Sequence, residues 1–275
     1  MPQETYESTY KESHHFSFGK NWLDFLKTVN GQRKEEAKKS LLKFLGGSES
    51  IQGKTFIDVG CGSGLFSLAA YELGASRVVS VDIDDFSIAC ATHLRETLGN
   101  PKQWHIQKVS ALDAEGIKSL GTFDVVYSWG VLHHTGDMYR ALQNVLGLVR
   151  SGGIFYVALY NENISHWREG TSKFWLRVKR LYNHSPAFLK RIYLAVFLAY
   201  YFVGSLILFR NPFTYIRNHV SSRGMDWYHD RIDWIGGYPY EYAPPDAIIN
   251  FFGDRGFLCR KFSLRVGLVA VSICL

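Results

Sequence analysis

Cysteine is scarce and scattered in this chain. The 275 residues hold four, Cys61, Cys90, Cys259 and Cys274, and no two stand as a C-x-x-C pair. That argues against a zinc site or a disulfide scaffold, and fits a reducing compartment. No metal is expected. There is no internal repeat, and the polar, acidic start Met1-Pro2-Gln3-Glu4-Thr5 carries no visible signal peptide. A cytoplasmic protein is the expectation. With 47% hydrophobic residues and a formal charge of +6, the composition also excludes a disordered or collagen-like chain.

Acidic residues are nearly missing from one stretch. Between Asn163 and Met225 there are ten lysines and arginines against a single acid, Glu169. The rest of the chain has 21 basic and 24 acidic residues, so its charge is −3. A slightly acidic body carries a strongly basic segment, which points to an anionic partner for that segment alone.

What is present is an alternation of short apolar runs and helical patterns. Leu41, Leu42, Leu45 and Ala37 recur at helical spacing before Gly46. Thr55–Val59, Arg77–Asp82, Trp104–Val109, Phe123–Ser128 and Gly153–Leu159 read as strands, with helices over Leu65–Leu73, Phe86–Leu98 and Asp137–Val149. This rhythm predicts a parallel sheet with right-handed crossovers. Asp246–Phe252 reads as a late helix, and Leu258–Val266 with Gly267–Cys274 as a closing strand pair. Four regions follow: a helical N-terminal segment (1–50), an α/β core (51–160), a basic and apolar insertion (161–243), and a C-terminal return to the core (244–275).

The first strand runs into Asp58-x-Gly60-x-Gly62-x-Gly64, and a helix follows. Glycines there allow a tight turn and close approach of a ligand, and the helix start offers free N–H groups. Asp82 ends the second strand, where a carboxylate can accept ribose hydroxyls. Strand, helix and distal acid together mark a nucleotide site. A dinucleotide would set its pyrophosphate against Asp58, which would repel it. A ligand with an ammonium and a sulfonium would be attracted, which favours S-adenosylmethionine (SAM).

At these residues the chain resembles the class I SAM-dependent methyltransferases. Phe56-Ile57-Asp58-Val59-Gly60-Cys61-Gly62-Ser63-Gly64 is similar to the family's first motif, and Val81-Asp82-Ile83 to its ribose-binding acid. Ser110-Ala111-Leu112-Asp113 resembles the adenine-contacting segment. Phe123–His134, with Ser128, Trp129 and Gly130, resembles the fourth motif and its loop. The resemblance implies a Rossmann-like seven-stranded sheet with an antiparallel last strand and a helical insertion after strand five. It implies SAM as cofactor, held by Asp58, Gly60, Cys61, Gly62, Ser63, Gly64, Asp82, Ile83, Ala111, Leu112, Asp113, Ser128, Trp129 and Gly130. The ubiquinone-biosynthesis O-methyltransferases are the most similar subgroup. His133 stands where that group has a glutamate.

His133 and His134 follow the fourth strand, at the carboxyl edge where ligands of such sheets bind. An imidazole suits the removal of a proton from a hydroxyl acceptor. His134 is the preferred base and His133 the second candidate; a packing or capping role near Thr135 and Asp137 is the plainer reading. Three aromatic or polar clusters are candidate covers of the pocket: Ser13–Trp22, Tyr160–Asn163, and Trp227–His229 with Trp234–Tyr238. Ser13–Trp22 equally suits an aromatic staple on the N-terminal helix; Tyr160–Asn163 reads more simply as a polar turn into the insertion, and the Trp227–Tyr238 aromatics as core.

In the insertion, Phe174, Trp175, Val178, Leu181 and Tyr182 fall on one helical face, and Lys173, Arg177, Lys179 and Arg180 on the other. That is the pattern of a membrane-surface helix. Ile192–Phe209 is free of charge for 18 residues. The expected partner is a small-molecule or lipid-linked acceptor beneath a lid, with an anionic membrane surface as a contact through 171–210. A tRNA-modifying methyltransferase is the second reading, drawn from the Gly130-Val131-Leu132-His133-His134 loop. A non-catalytic SAM-binding regulator or scaffold is the third.

Overall fold

A computed structural model describes residues 16, 18, 31–164, 171–207, 211, 213–214, 216, 227–265 and 268–274. The N-terminal cluster Ser13–Trp22 lies outside them except for Phe16 and Phe18, as do Val266, Gly267 and the arginines at 168, 210, 217 and 223.

The α/β rhythm is realised in order. Helix α1 (Gly31–Leu45) precedes β1 (Thr55–Val59), α2 (Leu65–Glu72), β2 (Arg77–Asp82), α3 (Asp85–Thr97) and β3 (Trp104–Lys108). Helix α4 (Ala114–Ser119), β4 (Phe123–Trp129), a 3-10 turn (Leu132–His134), α5 (Met138–Leu146) and β5 (Val149–Tyr160) complete the central layer. The insertion contributes α6 (Ser172–His184), α7 (Ala187–Ile207) and α8 (Trp227–Gly236). Then α9 (Pro245–Gly253), β6 (Leu258–Arg265) and β7 (Leu268–Cys274) close the fold.

The seven strands lie in the order β3-β2-β1-β4-β5-β7-β6. All pairs are parallel except those of β7, which runs antiparallel to β5 and β6. This is the Rossmann-like methyltransferase sheet. Its central strands are apolar on both faces because helices cover both. Ile57, Val79 and Val126 point to the side packed by α5 and α9, where Leu142 and Ile248 are fully buried. Phe56, Val78 and Val125 point to the other, against Leu41 of α1 and Leu68 of α2. Successive residues on one strand thus serve opposite core layers, as strand geometry requires. Helix starts are set by side chains: Asp84 caps α3, Asp113 caps α4, Asp137 caps α5 and Thr171 caps α6.

The insertion leaves and rejoins the core at one point. Asn161 bridges Ala243, Glu162 N–H donates to Ala243 O at 3.1 Å, and Ala243 N–H donates to Tyr160 O at 3.3 Å.

At the end of the sheet away from the ligand edge, Asp124 ties three strands together. Its Oδ2 accepts from Thr55 N–H and Thr55 Oγ1, both at 2.8 Å, and Oδ1 pairs with Arg150 at 2.8 Å. Burial opposes ionisation, but the Thr55 hydrogen bonds and Arg150 outweigh it and hold the carboxyl below its ordinary value. A depressed carboxyl contributes stability that is complete above its ordinary pKa and is lost as pH falls through the folded value. Asp124→Asn is therefore expected to lower urea stability by about 1–2 kcal/mol at neutral pH. Its deficit relative to wild type should close in the acid range. A deficit that persists there in denaturation curves would assign the effect to shape rather than charge.

Candidate active site

Three glycines after β1 adopt left-handed backbone: Gly60 at φ 76°, Gly62 at φ 53° and Gly64 at φ 78°. A Cβ on residue 60 would lie 2.3 Å from Val131 Cγ1, and one on residue 64 would lie 2.9 Å from Ala91 Cα. The first glycine therefore lets the loop after β4 close over the turn. The third lets α3 pack against the start of α2. Gly60 N–H and Cys61 N–H both donate to Val81 O, at 2.8 and 3.0 Å, which stitches the turn to β2. Asp82 completes the stitch. Its Oδ2 accepts from Gly62 N–H and its Oδ1 from Asp84 N–H, each at 3.0 Å. Cys61 and Ser63 are buried and Ile83 is half-buried.

Asp58 is buried below the turn, and Ser67 Oγ donates to its Oδ2 at 2.7 Å. Ser80 Oγ donates to Ser67 Oγ at 2.7 Å, and Trp104 Nε1 to Ser80 Oγ at 2.8 Å. This relay crosses from β3 to β1 and orients the Asp58 carboxylate. Burial pushes Asp58 up to about 7, with the nearby Asp82 adding to it. Burial likewise pushes Asp82 up to about 6. Among the described residues neither acid pairs with a lysine or arginine.

The remaining predicted cofactor residues line the same edge. Ala111 and Leu112 are buried, and Asn144 Nδ2 holds Ala111 O at 3.0 Å. Asp113 Oδ1 accepts from Gly116 N–H as the cap of α4, so this carboxylate has a structural partner. Ser128 Oγ donates to Val59 O at 2.9 Å, joining β4 to β1 beneath the turn. Gly130 has φ 73°, and Trp129 packs on Phe44 and Tyr156, each at 5.6 Å between centroids.

The histidines sit beside this edge on the 3-10 turn. The segment that returns from the insertion clasps them: Glu241 N–H donates to His133 O at 2.9 Å, while the Glu241 carboxylate accepts from Gly136 and Met138 N–H at 2.9 and 3.1 Å. Their tautomers follow from their partners. His134 Nδ1 lies 2.6 Å from Pro239 O. A carbonyl only accepts, so Nδ1 carries the proton and the basic lone pair is on Nε2. His133 Nδ1 accepts from Tyr160 N–H at 3.2 Å, so its proton is on Nε2. His133 is fully buried, which pushes its pKa well below the usual value, and its Nε2 meets no hydrogen-bond partner. Its one lone pair is already engaged, which makes His133 a donor and disfavours it as a base. Of the N-terminal cluster, Phe18 packs on His134 at 5.0 Å and Phe16 N–H donates to Tyr238 O at 3.1 Å.

The faces expected for α6 are corrected by its packing. Lys179, expected among the exposed basic residues, is fully buried, whereas Phe174 and Leu181, expected on the apolar face, are 52% and 56% exposed. The buried stripe is Trp175, Lys179 and Tyr182, turned toward Phe197 of α7 and Trp234 and Ile235 of α8. Lys179 Nζ donates to Trp234 O and lies 4.4, 4.9 and 5.9 Å from the ring centroids of Trp234, Tyr240 and Tyr160. No sequence spacing marks this lysine, because helical periodicity defines faces without saying which one turns inward. Tyr160 thus joins the set, and Asn161 is engaged at the base of the insertion. Among the described residues no group of three or more His, Cys, Asp or Glu could hold a metal.

Residues 51–186 match the family described as "Methyltransferase domain". The chain carries a class I SAM-dependent methyltransferase domain. The chain is 32% identical over 118 residues to a ubiquinone biosynthesis O-methyltransferase from Methylobacterium sp. (strain 4-46), across 43% of this chain and 45% of that protein. It is 32% identical over 103 residues to a tRNA U34 carboxymethyltransferase from Actinobacillus succinogenes, across 38% of this chain and 31% of that one. The chain therefore spans less than half the length of these relatives. Among solved structures, magnesium protoporphyrin IX methyltransferase from Synechocystis PCC 6803, with bound SAH, shares the fold at 16% identity and a TM-score of 0.51. That match covers 89% of this chain and 87% of that one.

The methyltransferase domain's own residues fit SAM. The glycine turn sits at the ligand edge of the sheet, and buried Asp58 and half-buried Asp82, neither paired with a lysine or arginine among the described residues, suit a ligand with an ammonium and a sulfonium. A cationic ligand prefers their ionised forms, so SAM affinity is expected to fall as pH drops from about 7 through about 6. Calorimetric titration at several pH values should show this. Asp82→Asn, which keeps the shape and removes the charge, should weaken binding by roughly tenfold or more and flatten the pH dependence.

Proposed function

We propose that this protein transfers a methyl group from SAM to a hydroxyl of a small, hydrophobic or lipid-linked acceptor, as the ubiquinone-biosynthesis O-methyltransferases it partly matches are named for doing. The observation that carries the reading is the His134 tautomer. Nδ1–H is committed to Pro239 O, so the lone pair is left on Nε2, on the turn that follows β4 and against the Gly237 backbone of the segment returning from the insertion. SAM, when bound against Asp58 and Asp82, supplies an electrophilic methyl on its sulfonium. His134 Nε2 takes the hydroxyl proton as the oxygen accepts the methyl, and S-adenosylhomocysteine is left. Pro239 O stabilises the imidazolium and fixes the ring. Tyr160, Tyr240 and Phe18 supply the flat apolar surroundings that suit an aromatic or isoprenoid-bearing acceptor. Alignment of acceptor and donor accounts for much of the rate in an in-line displacement.

The lipid-linked alternative is supported by α7. Its apolar window is only 6% buried, and the helix is long and apolar enough to cross a membrane by length and composition. Phe188, Ile192, Val196, Val203 and Ile207 are each at least half exposed. Phe197, Tyr193 and Leu194 pack the helix against α6 and α8, while these exposed side chains have no protein surface covering them among the described residues. Lys190 and Arg191 lie at its start, and Lys173, Arg177 and Arg180 on the preceding helix, so an anionic bilayer surface matches the charge. The tRNA reading keeps one support, the partial match to the tRNA U34 carboxymethyltransferase.

His134→Gln is expected to lower turnover by about 100-fold and leave SAM affinity nearly unchanged. The assay uses methyl-labelled SAM on cell extract split into lipid, RNA and soluble fractions, and the labelled fraction names the acceptor class. An unchanged rate would remove His134 as base; label confined to RNA would favour the tRNA reading. Flotation with phosphatidylglycerol vesicles should carry the wild type upward, and the pair Ile192→Asp with Val196→Asp should abolish it. A wild type that stays at the bottom of the gradient rejects membrane contact.

A further inference from the structure

Two buried hydrogen-bond donors, on His133 and Lys179, share Tyr160 as a neighbour beside this site. His133 has Nδ1 engaged by Tyr160 N–H, which leaves Nε2–H unpartnered in a fully buried ring. Among the described residues, Lys179 Nζ reaches the carbonyl of Trp234 and the faces of Trp234, Tyr240 and Tyr160. Both press on Tyr160: the His133 ring lies 3.9 Å from its ring, centroid to centroid, and Lys179 Nζ 5.9 Å from the same centroid. One carbonyl and three ring faces surround the ammonium, and no carboxylate touches it among the described residues. Burying an ammonium without an anion and an N–H without an acceptor both carry a desolvation cost. Carbonyl and aromatic contacts recover part of that for Lys179. They recover none of it for His133 Nε2–H.

We propose that Lys179 Nζ and His133 Nε2–H form a two-donor site for an anionic oxygen of the methyl acceptor, so that the acceptor is an aromatic anion. This rests on the acceptor-site reading above and adds the charge of the substrate to it. The charged groups around Lys179 are few: Asp233 on α8 favours the ammonium from a distance, and His133, Tyr160 and Tyr240 are neutral neighbours. Burial lowers Lys179 to about 7, so the amine is poised to take up a proton when an anion arrives. Trp234, Tyr240 and Tyr160 provide ring faces for a planar partner. The lysine comes from the insertion and the histidine from the core, so the site is complete only when the insertion is docked. The anionic oxygen is either a carboxylate that anchors the acceptor or the receiving hydroxyl oxygen once His134 has taken its proton.

The test uses the full chain loaded with S-adenosylhomocysteine and titrated calorimetrically with benzoate, 4-nitrophenolate and the neutral benzamide. The wild type should prefer an anion over benzamide by roughly tenfold or more. Preference for benzoate identifies an anchoring carboxylate, and preference for 4-nitrophenolate an ionised acceptor oxygen. Lys179→Met should abolish the preference while S-adenosylhomocysteine still binds, and should raise Tm, because an apolar side chain replaces an uncompensated charge. His133→Gln, which retains an N–H donor, should keep most of the preference that His133→Leu loses. A wild type without anion preference overturns the proposal, and so does Lys179→Met with the preference intact, whatever its Tm. Failure of the wild type to bind S-adenosylhomocysteine would instead reject the methyltransferase reading itself.

Discussion

Val131 occupies the space that a side chain at position 60 would need. Because residue 60 is glycine, the loop after β4 can close onto the turn after β1, and these two central strands present one continuous ligand edge. The residues expected to hold the cofactor lie beside this contact, and the histidines follow it on the loop after β4. Most of what surrounds it serves to hold the two loops in place. Val81 O and the Asp82 carboxylate fix the turn from β2, and Ser128 Oγ fixes the β4 end to Val59. The relay from Trp104 through Ser80 and Ser67 aims Asp58. Two acids are thereby kept close together in a buried setting, which a protein tolerates where a cationic ligand supplies the missing charge.

The second loop is governed by residues remote in sequence. Pro239 sets the His134 tautomer, Glu241 caps the helix that follows the histidines, and Tyr160 sets the His133 tautomer. The two neighbouring imidazoles therefore have opposite chemistry: one presents a lone pair at Nε2 and the other a proton there. A paired-histidine motif read along the chain cannot distinguish them, because the distinction resides in which backbone group faces each Nδ1.

This also explains which parts of the molecule were legible in the sequence. The strands β1 to β5, the glycine turn and the distal Asp82 are local patterns, in which side-chain period and turn residues report directly on backbone geometry. Helix α4 was not anticipated; its six residues are too few for a period, although its cap, Asp113, had been read as a cofactor contact. The clasp by Pro239 and Glu241 spans more than 100 residues and leaves no spacing to read. Lys179 looked like one more member of a basic face. Its burial depends on α6 packing its Trp175–Tyr182 stripe against α7 and α8, and an apolar face with two aromatic ends could have turned either way. The apolar run of α7 was visible, but apolarity alone does not say whether protein or lipid covers it.

The pinned base of the insertion has its own consequence. Tyr160, Asn161 and Glu162 lie hydrogen-bonded against Ala243, so the chain re-enters the core beside the point at which it left. To the sheet, everything between is equivalent to the loop of a hairpin, and its length adds little entropic cost to closing it. On the proposed reading, acceptor recognition is exchangeable as a cassette: enlarging or shortening the segment leaves β5 and α9 in their places. Such an exchange would cut Lys179, which reaches back toward His133, and would have to keep Pro239 and Glu241, which clasp the histidines from the returning end.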